Sequence, residues 1–181
     1  TVRSQRRPAV VPRFPTLKEE RFMAYQSIVN GARGLVFFGG HLTQVATPAD
    51  ARAGWNWTFW QQVLRPLVEE LSSDAVRPAL VAPPARTQVQ AGVQSVEVTT
   101  RQAGDTLWVL AVRRAGPTST VGFTGLPARI RSGEVLGEWV QEPPPPPIGG
   151  GRQVLREVAV RDGGFRDWFG PYDARVYRFR L

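Results

Sequence analysis

Gly34-Leu35-Val36-Phe37-Phe38-Gly39-Gly40 is a short, continuously apolar run closed by glycines at both ends. A strand with one solvated face alternates apolar and polar residues, whereas a strand covered on both faces has no need to. The run therefore reads as a strand buried in a parallel sheet or barrel. Upstream, Pro8, Pro12 and Pro15 mark an extended entry segment. Thr16 then makes a helix N-cap, and Glu19 stands three residues later, as a capping box requires. Glu19 and Glu20 suit the positive end of the helix dipole. The spacing of Phe22, Tyr25, Gln26 and Val29 predicts a helix over residues 17–29 with that stripe buried, stopped at Asn30-Gly31.

Downstream of the run, residues 41–55 read as a loop punctuated by Pro48 and Gly54. A second helix is expected over residues 57–72, with Val63, Leu64, Leu67, Val68 and Leu71 on its apolar face. Pro66 sits inside it as a kink or break. Helix, buried strand, loop and helix in that order form the repeating grammar of α/β folds. Residues 74–92 are rich in Pro, Ala and Arg and read as a crossing between domains. The division expected is 1–75, a linker at 76–93, and a second domain at 94–181.

That second domain changes character. Residues 95–100 alternate, with Val96 and Val98 on one face, and 107–112 form an apolar central strand after Gly104-Asp105-Thr106. Further strands are expected at 120–124, 134–140, 153–160 and 174–181. In the last, Tyr177, Phe179 and Leu181 share one face. Many short strands with Gly and Pro turns predict an antiparallel sandwich. Pro143 to Pro147 and Gly149 to Gly151 read as a hairpin tip or surface loop.

Composition narrows the chemistry. The 181 residues carry a formal charge of +8, but the arginines are spread along the chain and Lys18 is the only lysine. No basic run alternates with aromatics, so no nucleic-acid partner is expected. With no cysteine, disulfides and thiolate metal sites are excluded. With His41 as the single histidine, so is a multi-histidine site. No cofactor is implied. No apolar run reaches the roughly 18 residues of a membrane span, so no membrane partner is expected. Residues 1–8 have no apolar signal core, and no compartment can be read.

A family resemblance enters through two stretches. Residues 20–38, from Glu20-Arg21-Phe22 through Asn30-Gly31-Ala32-Arg33-Gly34 to Phe37-Phe38, resemble the end of a (β/α)8 glycoside hydrolase, where a helix leads through a Gly-Ala-x-Gly turn into the last barrel strand. Residues 164–179, with Asp167-Trp168-Phe169-Gly170-Pro171-Tyr172-Asp173, are similar to the close of the β-domain that often follows such barrels. The fold class implied is α+β: a terminal helix-strand-helix portion of a (β/α)8 barrel followed by an antiparallel β-sandwich. The function implied is that of a C-terminal fragment of a glycoside hydrolase-like protein acting on oligo- or polysaccharide. Its partners would be carbohydrate and the remainder of the barrel. The alternative is a non-catalytic carbohydrate-binding or interdomain β-sandwich module.

Glycoside hydrolysis commonly needs two carboxylates flanking the scissile bond. The resemblance implies that they stand on the fourth and seventh barrel strands, upstream of the portion present here. No catalytic residue is therefore assigned: Glu19 and Glu20 belong to a helix start, Glu69 and Glu70 to a helix end. What remains is a substrate wall. Phe38 and His41 would lie at the catalytic mouth of the barrel. Trp55, Asn56 and Trp57 follow the loop, where rings can stack on sugars and an amide can hold hydroxyls. The competing reading of the two tryptophans is packing of helix against barrel, and of His41 an ordinary loop residue. Trp108, Trp139 or Trp168, if exposed, would favour the binding-module alternative. Asp167 and Asp173 flank Gly170-Pro171 and read as turn stabilisers. Trp168, Phe169 and Tyr172 read as core or interdomain packing.

Overall fold

The computed structural model describes residues 13–37, 47–140 and 152–181. The protein is α+β, with two antiparallel sheets and a group of helices laid on one of them. The helices are α1 (Leu17–Val29), α2 (Pro48–Ala53), α3 (Trp57–Phe59), α4 (Arg65–Ser72) and α5 (Arg77–Val81). The strands are β1 (Gln90–Ala91), β2 (Val96–Ala103), β3 (Thr106–Arg113), β4 (Ser119–Thr124), β5 (Ser132–Val140), β6 (Arg152–Ala159), β7 (Gly164–Phe169) and β8 (Asp173–Arg180).

One sheet has the order β2-β3-β8-β5-β6 and the other β1-β4-β7. Between them lies the sandwich core, where Leu107, Val109, Val121, Phe123, Phe165, Tyr177 and Phe179 meet. The Phe123 and Phe165 rings stack at 4.6 Å. The opposite face of the five-stranded sheet carries a second core. There Trp108, Leu110, Val112, Ala174 and Val176 pack against Phe22, Tyr25 and Ile28 of α1. β3 is thus buried on both faces, odd residues to the sandwich and even residues to the helices. Its unbroken apolar sequence follows from that placement.

α1 forms as its sequence dictates. Thr16 accepts a hydrogen bond from the Glu19 N–H, and the Glu19 carboxylate accepts one from the Thr16 N–H at 2.9 Å. Asn30 caps the other end, and Gly31 follows at φ +99°. Gln26 and Asn30 donate to the two oxygens of Glu97, tying the helix end to β2. α3 continues into a π-helical turn at Trp60–Leu64 and then α4, with Pro66 in the first turn of α4. Pro66 has no N–H to offer the Gln62 carbonyl, and its ring would crowd that carbonyl in a regular helix. The widened turn relieves both problems without breaking the helix.

Three expectations are corrected. Residues 34–37, expected to open a buried strand, join no ladder, and Val36 is 94% exposed. An apolar run forms a strand only where a neighbouring edge accepts its hydrogen bonds, and the described residues supply none there. Within the expected loop 41–55, Pro48 and Asp50 start the short helix α2, capped by Thr47. Residues 74–92 are not a bare connection: α5 lies within them, Val76, Ala79 and Ala82 join the helix-side core, and Ala85 and Val89 join the sandwich core. The Pro143–Pro147 and Gly149–Gly151 tract lies outside the described residues.

The Arg13 guanidinium, bonded to Glu19 at 2.7 and 2.5 Å, and the Thr16 N–H hold the Glu19 carboxyl down to about 2. A carboxyl depressed in the folded state adds stability above its ordinary range and loses it as pH falls through the folded value. Urea unfolding should therefore show the wild type losing its advantage over Glu19→Gln between about pH 5 and about pH 2. Thr16→Ala should cost about 1 kcal/mol at neutral pH.

Candidate functional site

Phe38 and His41 lie outside the described residues, which leaves Trp55, Asn56 and Trp57 to be located. They sit where α2 ends and α3 begins. Gly54 adopts φ +68° as the C-cap of α2 and reverses the chain. Asp50 closes the reversal: its carboxylate accepts the Thr58 N–H at 2.9 Å and the Thr47 hydroxyl at 2.9 Å. Burial works to raise the Asp50 carboxyl, and the bonds from Thr58 and Thr47 outweigh it, holding it below its ordinary value. This knot fixes Trp55 and Trp57 on the surface, both exposed. Their ring centroids are 5.1 Å apart and the planes are inclined by 52°. At that separation the two rings pack against each other as a tilted aromatic pair rather than forming one flat platform. Asn56 is only 2% exposed, so it is not presented as a surface hydroxyl ligand.

The carboxylates have structural partners instead. Glu69 makes an exposed ion pair with Arg65 one turn earlier. Glu70, at 1% exposure, accepts three hydrogen bonds from Arg21 at 2.8–3.0 Å and one from the Tyr25 hydroxyl at 2.6 Å. Arg21 also donates to the carbonyls of Ala174 in β8 and Gly137 in β5, at 2.5 and 3.2 Å. Glu70 raises the Arg21 guanidinium against the effect of burial. Burial and the Glu70 charge together push the Tyr25 phenol far above its ordinary range. The sequence reading placed Glu70 only at a helix end. The missed signal was the register of Arg21 and Tyr25, four residues apart on the face of α1 that carries Phe22.

Asp167 corrects the expectation of a turn residue. It points into the sandwich from β7 and accepts the Tyr177 hydroxyl from β8 and an Arg156 N–H from β6, both at 2.8 Å. Its charge adds to burial in raising the Tyr177 phenol. Asp173 does hold the turn, accepting the Gly170 N–H at 2.7 Å, and it pairs with Lys18 of α1. Phe169 is core, as expected. Tyr172 packs its edge on Phe22 while remaining partly exposed. Trp168 is 62% exposed, against the expectation that it is packed, because β7 turns its odd-numbered residues inward. Trp108 is buried against the helices and cannot serve a ligand. Among the described residues no group of three or more His, Asp or Glu could hold a metal ion.

No family model matches the chain, and no curated protein matches it significantly. Solved structures that align with it include glycoside hydrolases. An α-amylase from Geobacillus thermoleovorans, solved with acarbose, aligns over 91% of this chain and 34% of its own at 15% identity, TM-score 0.45. An Anoxybacillus α-amylase aligns over 65% and 22% at 16% identity, TM-score 0.39. A family 30 endoxylanase from Clostridium papyrosolvens C71 aligns over 50% and 21% at 11% identity, TM-score 0.36. The chain thus spans about a third or less of the length of these neighbours. Likenesses this distant assign neither activity nor residues.

The Glu70 knot gives a sharp test. Glu70→Ala leaves Arg21 buried and uncompensated, and should cost about 3–5 kcal/mol in denaturant unfolding. Replacing both partners, as Arg21→Met with Glu70→Leu, should recover most of that loss. Gly137 has φ +65°, and a Cβ there would stand 2.5 Å from Glu70 Oε1, so Gly137→Ala should destabilise by about 1–3 kcal/mol.

Proposed function

We propose that this chain is the C-terminal portion of a glycoside hydrolase-like protein, in which residues 1–75 complete a barrel supplied by the rest of the parent and residues 94–181 form the sandwich docked beside it. The parent would hydrolyse glycosidic bonds of an oligo- or polysaccharide. The observation that carries this reading is an apolar surface beside residues 34–37. There Ile28, Leu35, Phe37, Val68, Leu71 and Leu80 line an open cavity of about 420 Å³. Leu35 and Phe37 are turned towards it and Val36 away, the alternation of a strand that lacks its neighbours. Apolar surface of this kind, continuous with an unpaired apolar segment, suits a missing layer of the same fold. The occupant proposed is the preceding part of the barrel.

On this reading Phe38, His41, Trp55 and Trp57 lie near the catalytic mouth and contact sugar. The exposed outer surfaces of the two indole rings offer apolar area to a pyranose face. The acid and the base or nucleophile come from the preceding strands, since Glu69, Glu70 and Asp167 are all engaged with arginine.

The test is to express the reading frame extended upstream alongside this chain and assay reducing-sugar release from starch, xylan and mixed β-glucan. Hydrolysis by the extended protein and none by this chain is the expected result. Val36→Asp should lower the melting temperature of the extended protein more than that of this chain. An in-frame stop just upstream, or an equal effect of Val36→Asp in both proteins, would overturn the barrel reading.

A further inference from the structure

The outer face of the three-stranded sheet is the part of the molecule that neither core uses. Its outward positions are Gln90 on β1, Thr120, Gly122 and Thr124 on β4, and Arg166 and Trp168 on β7. Trp168 pairs across the ladder with Thr120, and Arg166 with Gly122. The inward residues of the same strands, Val121, Phe123, Phe165 and Phe169, are all buried, so the alternation is complete and the outer set is fixed in register.

Three features of that set point to one ligand class. A tryptophan at 62% exposure offers an indole face to solvent without structural need, since it contributes to neither core. Gly122 stands diagonally beside it, and a Cβ built there meets nothing within 4 Å. The sheet surface next to the indole is therefore open. Around this floor stand hydroxyls, an amide and one guanidinium, and no acid occupies any outward position of the three strands. Arg166 and Trp168 are two residues apart on one face, hence about 7 Å along the strand. Asp167 between them points the other way and is spent on Arg156 and Tyr177, so it does not neutralise Arg166 on this side.

We propose that this face binds an acidic saccharide, with Trp168 stacked on a sugar ring and Arg166 paired with a carboxylate of the same or the adjacent sugar. Charge complementarity selects the ligand. A neutral sugar would use the indole and the threonines but leave the guanidinium idle. A uronate-bearing chain engages both, because a guanidinium fork matches a carboxylate in two parallel hydrogen bonds. Thr120 and Thr124 are placed to exchange hydrogen bonds with ring hydroxyls. The site needs only the sandwich and stands independently of the barrel reading.

The experiment is affinity gel electrophoresis and calorimetry of the whole chain with polygalacturonate, and with soluble starch as the neutral probe. Polygalacturonate should bind and starch should bind at least tenfold more weakly. Trp168→Ala should weaken polygalacturonate binding by about tenfold or more, with Trp168→Phe restoring part of it. Arg166→Gln should remove the preference over starch. Because Trp168 and Arg166 are exposed, all three variants should keep the wild-type melting temperature. Should Trp168→Ala fail to fold, the Arg166→Gln result decides. Binding that survives both substitutions would be general attraction of a polyanion to a chain of charge +8, and would overturn the proposal. So would equal binding of starch, or no binding of polygalacturonate.

Discussion

The contact between Arg21 and Glu70 joins every layer of the helix-bearing half of the molecule. Its two partners come from α1 and α4, its third member Tyr25 from α1, and the remaining guanidinium donors reach the carbonyls of Ala174 in β8 and Gly137 in β5. Removing two charges from water is costly, and their attraction offsets that cost only where the other donors and acceptors are also satisfied. Here they are. A helix that slid by one residue would disturb six hydrogen bonds at once. The apolar contacts of Phe22, Ile28, Leu110 and Val176 are tolerant of small shifts; the ion pair is not. It sets the register in which the apolar surfaces meet. Arg21 reaches the Gly137 carbonyl at the place where β5 shifts register, between Val135 and Glu138.

The sandwich repeats the device at a second place. Asp167 is carried on the small sheet and bonded to Tyr177 and Arg156 of the large one. Aromatic rings fill the space between the sheets but allow many relative positions. One carboxylate with two fixed donors allows few. The two networks sit on opposite faces of the five-stranded sheet and share β8 as their meeting element. β3, β8 and β5 accordingly carry apolar residues on both faces.

This division explains what could be read from the sequence. The antiparallel strands and α1 were legible because they depend on local signals: alternation over 95–100 and 174–181, the Thr16–Glu19 box, the Asn30-Gly31 stop. β7 was hidden by its own composition. Asp167 beside Gly170-Pro171 reads as a turn residue and Trp168 as packing, and only the pairing with β4 shows that Asp167 faces inward and Trp168 outward. The run at 34–37 has the apolar composition of a buried strand, but a strand needs a second edge to pair with and the described residues offer none there. The segment 74–92 looked like a linker because proline and alanine give no period. Small residues are what a close crossing beneath a helix layer requires, and Val76, Ala79 and Ala82 are buried for that reason. Trp55 and Trp57 are exposed while Asn56 between them is buried, a difference set by the α2–α3 reversal around Asp50, through a contact eight residues apart that no local pattern shows.

The basic composition has the same origin. A charge of +8 with one lysine among 23 basic residues is a statement about arginine more than about charge. Arg113 reaches the Phe169 and Ala115 carbonyls and the Ser119 hydroxyl. Arg101 reaches the carbonyls of Leu80, Ala82 and Ile28. Arg156 bridges Glu138 and Asp167. Each of these sites asks for several donors in fixed directions from one side chain, which a planar five-donor fork provides and a point-like ammonium does not. Backbone carbonyls at strand ends and helix ends that lack a regular partner are satisfied this way. Arg101 and Arg113 are thus turned towards carbonyls that carry no net charge to cancel theirs, while Arg33, Arg52, Arg86 and Arg114 are exposed. An overall charge so divided predicts little about partners, and what distinguishes Arg166 among the exposed arginines is its place two residues from an exposed indole on one face of a strand.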